Sequence, residues 1–245
     1  MTKLSVNLNA VAYLRNRRSV GWPSVTGIAR AVLEAGADGV TVHPRPDERH
    51  IRRTDVFELQ RLLRDDFSGA EYNIEGYPSE DFLQLIEDVR PDQVTFVPDD
   101  PAQSTSDHGW DVVANRELLE RAIDVMKALG IRVSLFIDAD PALPATAAAV
   151  GAQRVELFTG PYGATYGTPT GPDELNKLEE TARAAKAAGV EVNAGHDLTL
   201  ENLPALQAAI DNIAEVSIGH GITADALLVG FPEATRRYKA ALRRQ

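Results

Sequence analysis

The sequence predicts an α/β fold, a single TIM-type (β/α)8 barrel with extra helices over residues 1–245, and three observations carry that expectation. The 245 residues, 44% of them hydrophobic, suffice for one sizeable core. Eight short runs rich in Val, Ile, Leu and Phe recur along the chain, and helix-like stretches separate most of them. No repeat of fixed period or low-complexity tract breaks the alternation.

The strand-like runs are LSVNLN (4–9), GVTVH (39–43), EYNIE (71–75), QVTFVP (93–98), RVSLFID (132–138), RVELFT (154–159), EVNAGH (191–196) and EVSIGH (215–220). Val25–Ala35, Ser79–Val89, Arg116–Leu129, Pro172–Ala188 and Leu200–Ile210 read as helices, several closing on the Ala-Gly or Leu-Gly pair of a helix C-terminus. Strands alternating with helices imply a parallel sheet with right-handed crossovers. Eight such units favour closure into a barrel over an open doubly wound sheet. The longer gaps, after the first, second, fourth and sixth runs, mark inserted helices or loops. In the last of these, TGPYGATYGTPTG (159–171) lacks the Gly-Lys-Ser/Thr ending of a P-loop and reads as a flexible loop able to cover the mouth.

Composition removes several function classes. A formal net charge of −11 disfavours nucleic acid, whose phosphates demand a basic face. With no cysteine, neither a disulfide framework nor a thiolate metal site can form. No apolar run approaches the ~18 residues of a membrane helix, and MTKLSVNLNA reads as a strand rather than a signal peptide. A cytoplasmic protein without a membrane partner is expected.

Strand parity locates the chemistry. Alternate residues face opposite sides of a strand, and the outer side of a barrel must meet apolar helices, so polar alternates point inward. This rule directs inward Ser5, Asn7 and Asn9 from the first run, Thr41 and His43 from the second, Asn73 and Glu75 from the third, and Ser134 and Asp138 from the fifth. The second half adds Glu156, His196, Gly219 and His220. Any one of these alone could be a satisfied polar core residue. Together they converge on the carboxyl ends of the strands, where barrels of this type carry their active sites. A carboxylate aimed into a barrel must be paired, hydrated or functional, which singles out Glu75 and Glu156. His43 and His196 are natural acid/base partners for them.

Positive charge gathers where an anion would need it, in LRNRR (14–18) and HPRPDERHIRR (43–53). Arg49, Arg52 and Arg53 are expected to form surface salt bridges with Asp47, Glu48 and Asp55, leaving Arg18, Arg45 and His50 for a ligand. SIGHGITADALL (217–228) places glycines and backbone N–H groups at a helix start suited to phosphate. A small phosphorylated substrate follows. The lysines, Lys3, Lys127, Lys177, Lys186 and Lys239, all miss the strand ends, which disfavours a Schiff-base aldolase. A metal held by His43, His50 and a carboxylate is conceivable, but the histidines lack a familiar ligand spacing, so metal-free acid/base chemistry without a cofactor is expected. A different phosphosugar enzyme and a non-catalytic binding barrel remain as rivals.

The segments VNLNAVAYLRNRR, GVTVHPRPDERHIR, NIEG, TSDHGWD, VSLFIDAD, VELFTGPYG, VNAGHDL and IGHGI resemble the pyridoxine 5′-phosphate synthase family in order and spacing, over nearly the whole chain. The resemblance implies a homo-octameric (β/α)8 barrel that condenses 3-amino-2-oxopropyl phosphate with 1-deoxy-D-xylulose 5-phosphate. It makes His43 and Glu75 proton acceptors, His196 a proton donor and Glu156 a transition-state stabiliser. It assigns Asn7, Arg18, Gly219 and His220 to the amino-ketone phosphate, and Arg45, His50 and Thr105 to the deoxyxylulose phosphate. It also implies that the loop after the fourth strand closes over the substrates. Asn9 and Ala10 stand where the family commonly has Asp-His, and Asp197, where it commonly has Gly, follows His196. Asn9 and Asp197 are counted with the substrate-binding positions; Asn9 can still bond a sugar hydroxyl, whereas Ala10 offers no side-chain donor or acceptor.

Overall fold

The computed structural model describes residues 1–99 and 106–243. From the N-terminus, β1 (Lys3–Asn7) is followed by α1 (Asn9–Asn16) and α2 (Val25–Glu34), then β2 (Gly39–Val42), α3 (Arg53–Asp66), β3 (Glu71–Gly76), α4 (Glu80–Val89) and β4 (Gln93–Phe96). The second half runs α5 (Arg116–Ala128), β5 (Arg132–Ile137), α6 (Leu143–Ala149), β6 (Arg154–Phe158), α7 (Gly160–Thr165), α8 (Gly171–Ala188), β7 (Glu191–Gly195), α9 (Leu203–Ala209) and β8 (Ile213–Ile218). Two helices, α10 (His220–Val229) and α11 (Phe231–Ala241), complete the described chain. The strands pair in parallel in sequence order, and β8 returns to β1 with Ser5 opposite Ser217, so the barrel is closed.

The period of two in the strands separates two environments. Leu4, Val6, Val40, Val42, Ile74, Val94 and Phe96 are fully buried in the apolar layer shared with the helices. Their neighbours make a polar lumen instead of the usual bulky aliphatic filling. Ser5 and Thr41 hydroxyls meet at 2.6 Å, Asn73 donates to Thr41 at 3.4 Å, and Thr95 donates to Asn73 at 3.1 Å. At the amino ends of the strands, Glu71 gathers Lys3 at 3.2 Å, Arg154 at 3.4 Å and Arg132. Polar groups inside a barrel are costly unless they bond one another, and this girdle does so.

The helices follow from local chemistry. In α4, Phe82, Leu85, Ile86 and Val89 form one buried stripe, Ser79 caps the start by accepting from the Phe82 N–H, and Glu80 and Asp81 face the helix dipole. Ser24 caps α2 likewise through Gly27.

Several boundary expectations are corrected. Leu8 leaves the extended region (φ −94°, ψ 3°), so the first strand ends at Asn7 and Asn9 opens α1 instead of prolonging the strand. The segment 159–171 is not simply a loop, because Gly160–Thr165 forms a short helix with Pro161 in its first turn, where a missing N–H costs nothing. The eighth strand starts earlier than expected, at Ile213, and stops at Ile218; Gly219 caps α10 and His220 is its first residue.

Candidate active site

A cavity of about 730 Å³ opens at the carboxyl ends of the strands. Its lining contains His43, Glu75, Glu156, His196, Asn7, Asn9, Arg45, His50, Asp197, Gly219 and His220, which the sequence had selected from scattered segments. Arg18 is exposed and does not line this cavity, whereas its neighbour Arg17 does. Thr105 lies outside the described residues. Asp138 is not part of the lining; just past β5, its carboxylate accepts from the Gly109 N–H at 2.9 Å and so fixes a loop.

The end of β1 orders the floor. Asn7 accepts from the Asn9 N–H at 2.9 Å and donates to Glu75 Oε2 at 3.3 Å; Asn9 in turn accepts from the His43 N–H at 2.9 Å. Asn9 thereby caps β2 with its side chain although it lies in a helix. His43 Nδ1 stands 3.9 Å from Glu75 Oε2, and its Nε2 stands 3.1 Å from Asp99. Asp99 also accepts from Arg45 at 2.5 Å and from Ser106 at 2.7 Å.

The loop carrying Arg45 and His50 is tied down from α1. Buried Arg15 grips Asp55 through a bidentate pair, at 2.5 and 2.9 Å, and donates to the His50 carbonyl at 3.1 Å. Asn16 donates to the carbonyls of Glu48, Arg49 and His50. The His50 ring lies 5.9 Å from the His43 ring, and its Nδ1 accepts the Ile51 N–H, so the Nε2 of a neutral His50 is the donor left for a ligand. The expected surface pairing of Arg49 with Asp47 is present at 2.7 Å, while Arg53 reaches Asp81 instead, at 3.2 Å.

Across the mouth, β7 ends in a strained turn. His196 (φ 85°) and Asp197 (φ 55°) both adopt left-handed backbone. Thr159 donates to the Gly195 carbonyl at 2.6 Å and to that of His196, and Asn202 donates to the Asp197 carbonyl at 3.0 Å. These bonds hold the turn so that the His196 ring packs edge-on against Phe158 at 5.2 Å with Nδ1 3.1 Å from Asp197. Gly195 leaves the room that Glu156 fills: a Cβ there would lie 2.3 Å from Glu156 Oε1.

Over residues 4–244 the chain matches the family described as pyridoxal phosphate biosynthesis protein PdxJ. The chain belongs to this family. Among its PdxJ-like relatives, the pyridoxine 5′-phosphate synthase of Brucella anthropi is 60% identical over 241 residues, 98% of each chain. That of Brucella abortus is 58% identical over the same span. Two solved structures of low sequence identity share the fold of this PdxJ-family chain. Tryptophan synthase from M. tuberculosis matches with a TM-score of 0.67 at 13% identity, covering 100% of this chain and 93% of that one. Phosphoribosyl anthranilate isomerase from Thermus thermophilus matches at 0.61 and 16%, covering 98% of both.

The electrostatics of this PdxJ-family site come from burying charge. Burial, then the neighbouring Asp99, raises the Glu75 carboxyl to about 7, opposed by His196 and by hydrogen bonds from Asn7 and Asn9. Burial, Glu75 and Glu215 push Glu156 well above the carboxylate range, and its Oε2 has no hydrogen-bond partner among the described residues. Burial together with the Arg45 and Arg49 cations lowers His43 to about 3, so this imidazole is neutral at physiological pH. His50 falls to about 3, chiefly through burial and then through His43 and Arg45. Its hydrogen bond to His196 holds Asp197 below the usual range. The site therefore offers a neutral imidazole, a carboxyl that exchanges its proton near neutrality and a carboxylic acid that stays protonated. Asp99, Ser106 and Arg17 are among the lining or contacting residues that sequence reasoning missed; Asp99 stands just past Pro98, where the fourth run was taken to end.

Proposed function

We propose that this chain of 245 residues acts as one catalytic domain, a pyridoxine 5′-phosphate synthase condensing 3-amino-2-oxopropyl phosphate with 1-deoxy-D-xylulose 5-phosphate to pyridoxine 5′-phosphate, phosphate and water. The single observation that carries this is the meeting of Glu75, His43, Glu156 and His196 in one buried mouth of a chain 60% identical, over nearly its whole length, to a synthase of that name.

The chemistry asks for what these residues offer. An amine adds to a ketone, water and phosphate leave, and ring closure ends in aromatisation, so protons move at each stage. Neutral His43 and Glu75 accept protons, and His196, oriented by Asp197, donates one. Glu156, held protonated, can donate a hydrogen bond to charge developing on a substrate oxygen. Arg45 and His50, with Thr105, take the deoxyxylulose phosphate. Asn7, Gly219 and His220, with Arg18, take the amino-ketone phosphate, helped by the start of α10. Asn9 and Asp197 contact substrate where the wall of the cavity also includes Ala10. Two anchored phosphates would hold the reacting carbons in register. Neither metal nor organic cofactor is called for, and activity should survive a chelator.

The same reading expects a cytoplasmic homo-octamer. Leu227 and Leu228 on α10 are 76% and 86% exposed, and Leu227 lines the same cavity as Tyr13 and Leu14 of α1, which are also exposed. Apolar side chains clustered in this way favour a protein partner, here further copies of the chain. Light scattering at micromolar concentration should find an assembly, and a monomer would contradict it.

Purified protein mixed with the two substrates should form pyridoxine 5′-phosphate and release phosphate. Phosphate release without a pyridine product would point to a different phosphosugar enzyme, and binding without turnover to a binding barrel.

A further inference from the structure

The roles proposed above use only Arg18 from LRNRR, yet Asn16, the last residue of α1, meets the loop carrying His50 over three consecutive residues. Its Nδ2 donates to the carbonyls of Glu48 at 3.1 Å, Arg49 at 3.1 Å and His50 at 2.8 Å. Its Oδ1 accepts from Arg15 Nε at 3.1 Å and Nη2 at 3.0 Å, which settles the end of the amide that faces the loop. Arg15 is held in turn by buried Asp55, so the amide is anchored to the first turn of α3.

We infer that Asn16 is a positioning residue: it curls the segment 48–50 into a strained turn and thereby aims His50 into the mouth.

In an extended chain successive carbonyls alternate sides, so three in a row reach one donor only where the backbone reverses. Glu48 supplies the reversal with φ 50°, a left-handed conformation that a residue with a Cβ adopts at a cost. From α1, the three bonds of Asn16 and one from Arg15 to the His50 carbonyl, at 3.1 Å, oppose that cost. The amide has two N–H groups for three carbonyls, so one is shared, and removing the donors releases all three carbonyls together.

The consequence falls on one ring. The last carbonyl in the grip belongs to His50, whose Nδ1 accepts the N–H of fully buried Ile51 at 2.9 Å. A carbonyl held by α1 and a ring nitrogen tied to the following N–H together set the direction of the imidazole, which lines the mouth 5.9 Å from the His43 ring. A group that holds a remote phosphate equally in the ground and transition states changes KM and not kcat. Misplacing His50 should therefore show in the KM of one substrate alone.

The assignment rests on the reading of His50 as a ligand of the deoxyxylulose phosphate. Asn16→Asp keeps the oxygen that faces Arg15, while its other oxygen cannot donate and confronts the three carbonyls. KM for the deoxyxylulose phosphate should rise about tenfold, the order of one hydrogen bond to a charged group, with kcat and KM for the amino-ketone phosphate within about twofold of wild type. Glycine adopts the left-handed turn without strain, so adding Glu48→Gly to Asn16→Asp should recover at least about threefold of that loss. General loss of packing would raise both KM values or lower kcat, and glycine would not repair it. Asn16→Ala, which removes the donors without adding charge, takes the same measurements if Asn16→Asp fails to fold. An unchanged KM for the deoxyxylulose phosphate, both KM values raised together, or no recovery with Glu48→Gly overturns the proposal. His50→Ala with an unchanged KM for the deoxyxylulose phosphate overturns the functional reading of His50 instead. Hydrogen exchange at the Ile51 amide then decides on Asn16: faster exchange in Asn16→Asp than in wild type upholds the clamp, and equal exchange removes it.

Discussion

Glu75 sits where a charge is expensive and a proton acceptor is useful. Glu75→Gln keeps the shape and the bond from Asn7 but cannot take a proton. Turnover should fall roughly 10²–10⁴-fold with substrate affinity largely kept. A folded variant near wild-type turnover, with the chemical step shown to be limiting, would remove Glu75 from its role. Stability gives a second check. The folded carboxyl is raised from 4.5 to about 7, so ionising it destabilises the fold progressively as pH rises through that window. Gln carries no such cost, and its advantage in melting temperature over wild type should be larger at about pH 8 than at about pH 4. Parity made Glu75 and Glu156 legible because both lie inside strands, where a period of two assigns a face. Asp99 escaped because it lies beyond β4, where no period assigns a direction.

The exit of β7 shows how an element aims its residues. Gly195 passes so close to Glu156 that a methyl group at 195 would press on its carboxyl. Gly195→Ala should therefore cost about 1–3 kcal/mol in a urea titration and also depress turnover by turning Glu156 away. A variant with normal stability and turnover would show that Glu156 moves freely. The left-handed pair His196–Asp197 lies beyond the reach of hydrophobic pattern, as nothing in VNAGHDL separates a strand that continues from one that turns. Strand existence was legible throughout, since branched apolar runs bounded by Gly, Asp and Pro have few other solutions. Helix α3 was not assigned, being densely charged on its outer face, and the helix start read in SIGHGITADALL fell too late because α10 begins inside a run read as strand.

At the scale of the molecule, opposing buried charges shape the response to pH. His43 and His50 are held neutral, so their contribution to stability is full above 6.5 and is lost as pH falls toward about 3. Glu75 and Glu215, raised from 4.5 to about 7 and about 8, act in the other direction, since stability falls as pH rises through that interval. Glu215 owes its shift to burial and Glu71, against Arg154, Arg132 and Lys3. Melting temperature should accordingly be highest in mildly acid solution, between 4.5 and 6.5, and decline from 6.5 to about 8. Glu215→Gln should flatten that decline, and a profile that keeps rising to pH 8 would contradict the assignment. The separation of the strands into an apolar outer face and a polar lumen reaches further still. Folding and chemistry draw on different letters of the same words, so a complete substitution scan along β3 should separate them: changes at Tyr72 and Ile74, and at Asn73 bonded to Thr41 and Thr95, deplete folded protein, whereas changes at Glu75 leave it abundant and inert. Such a barrel can exchange one catalytic vocabulary for another without rewriting the grammar that folds it.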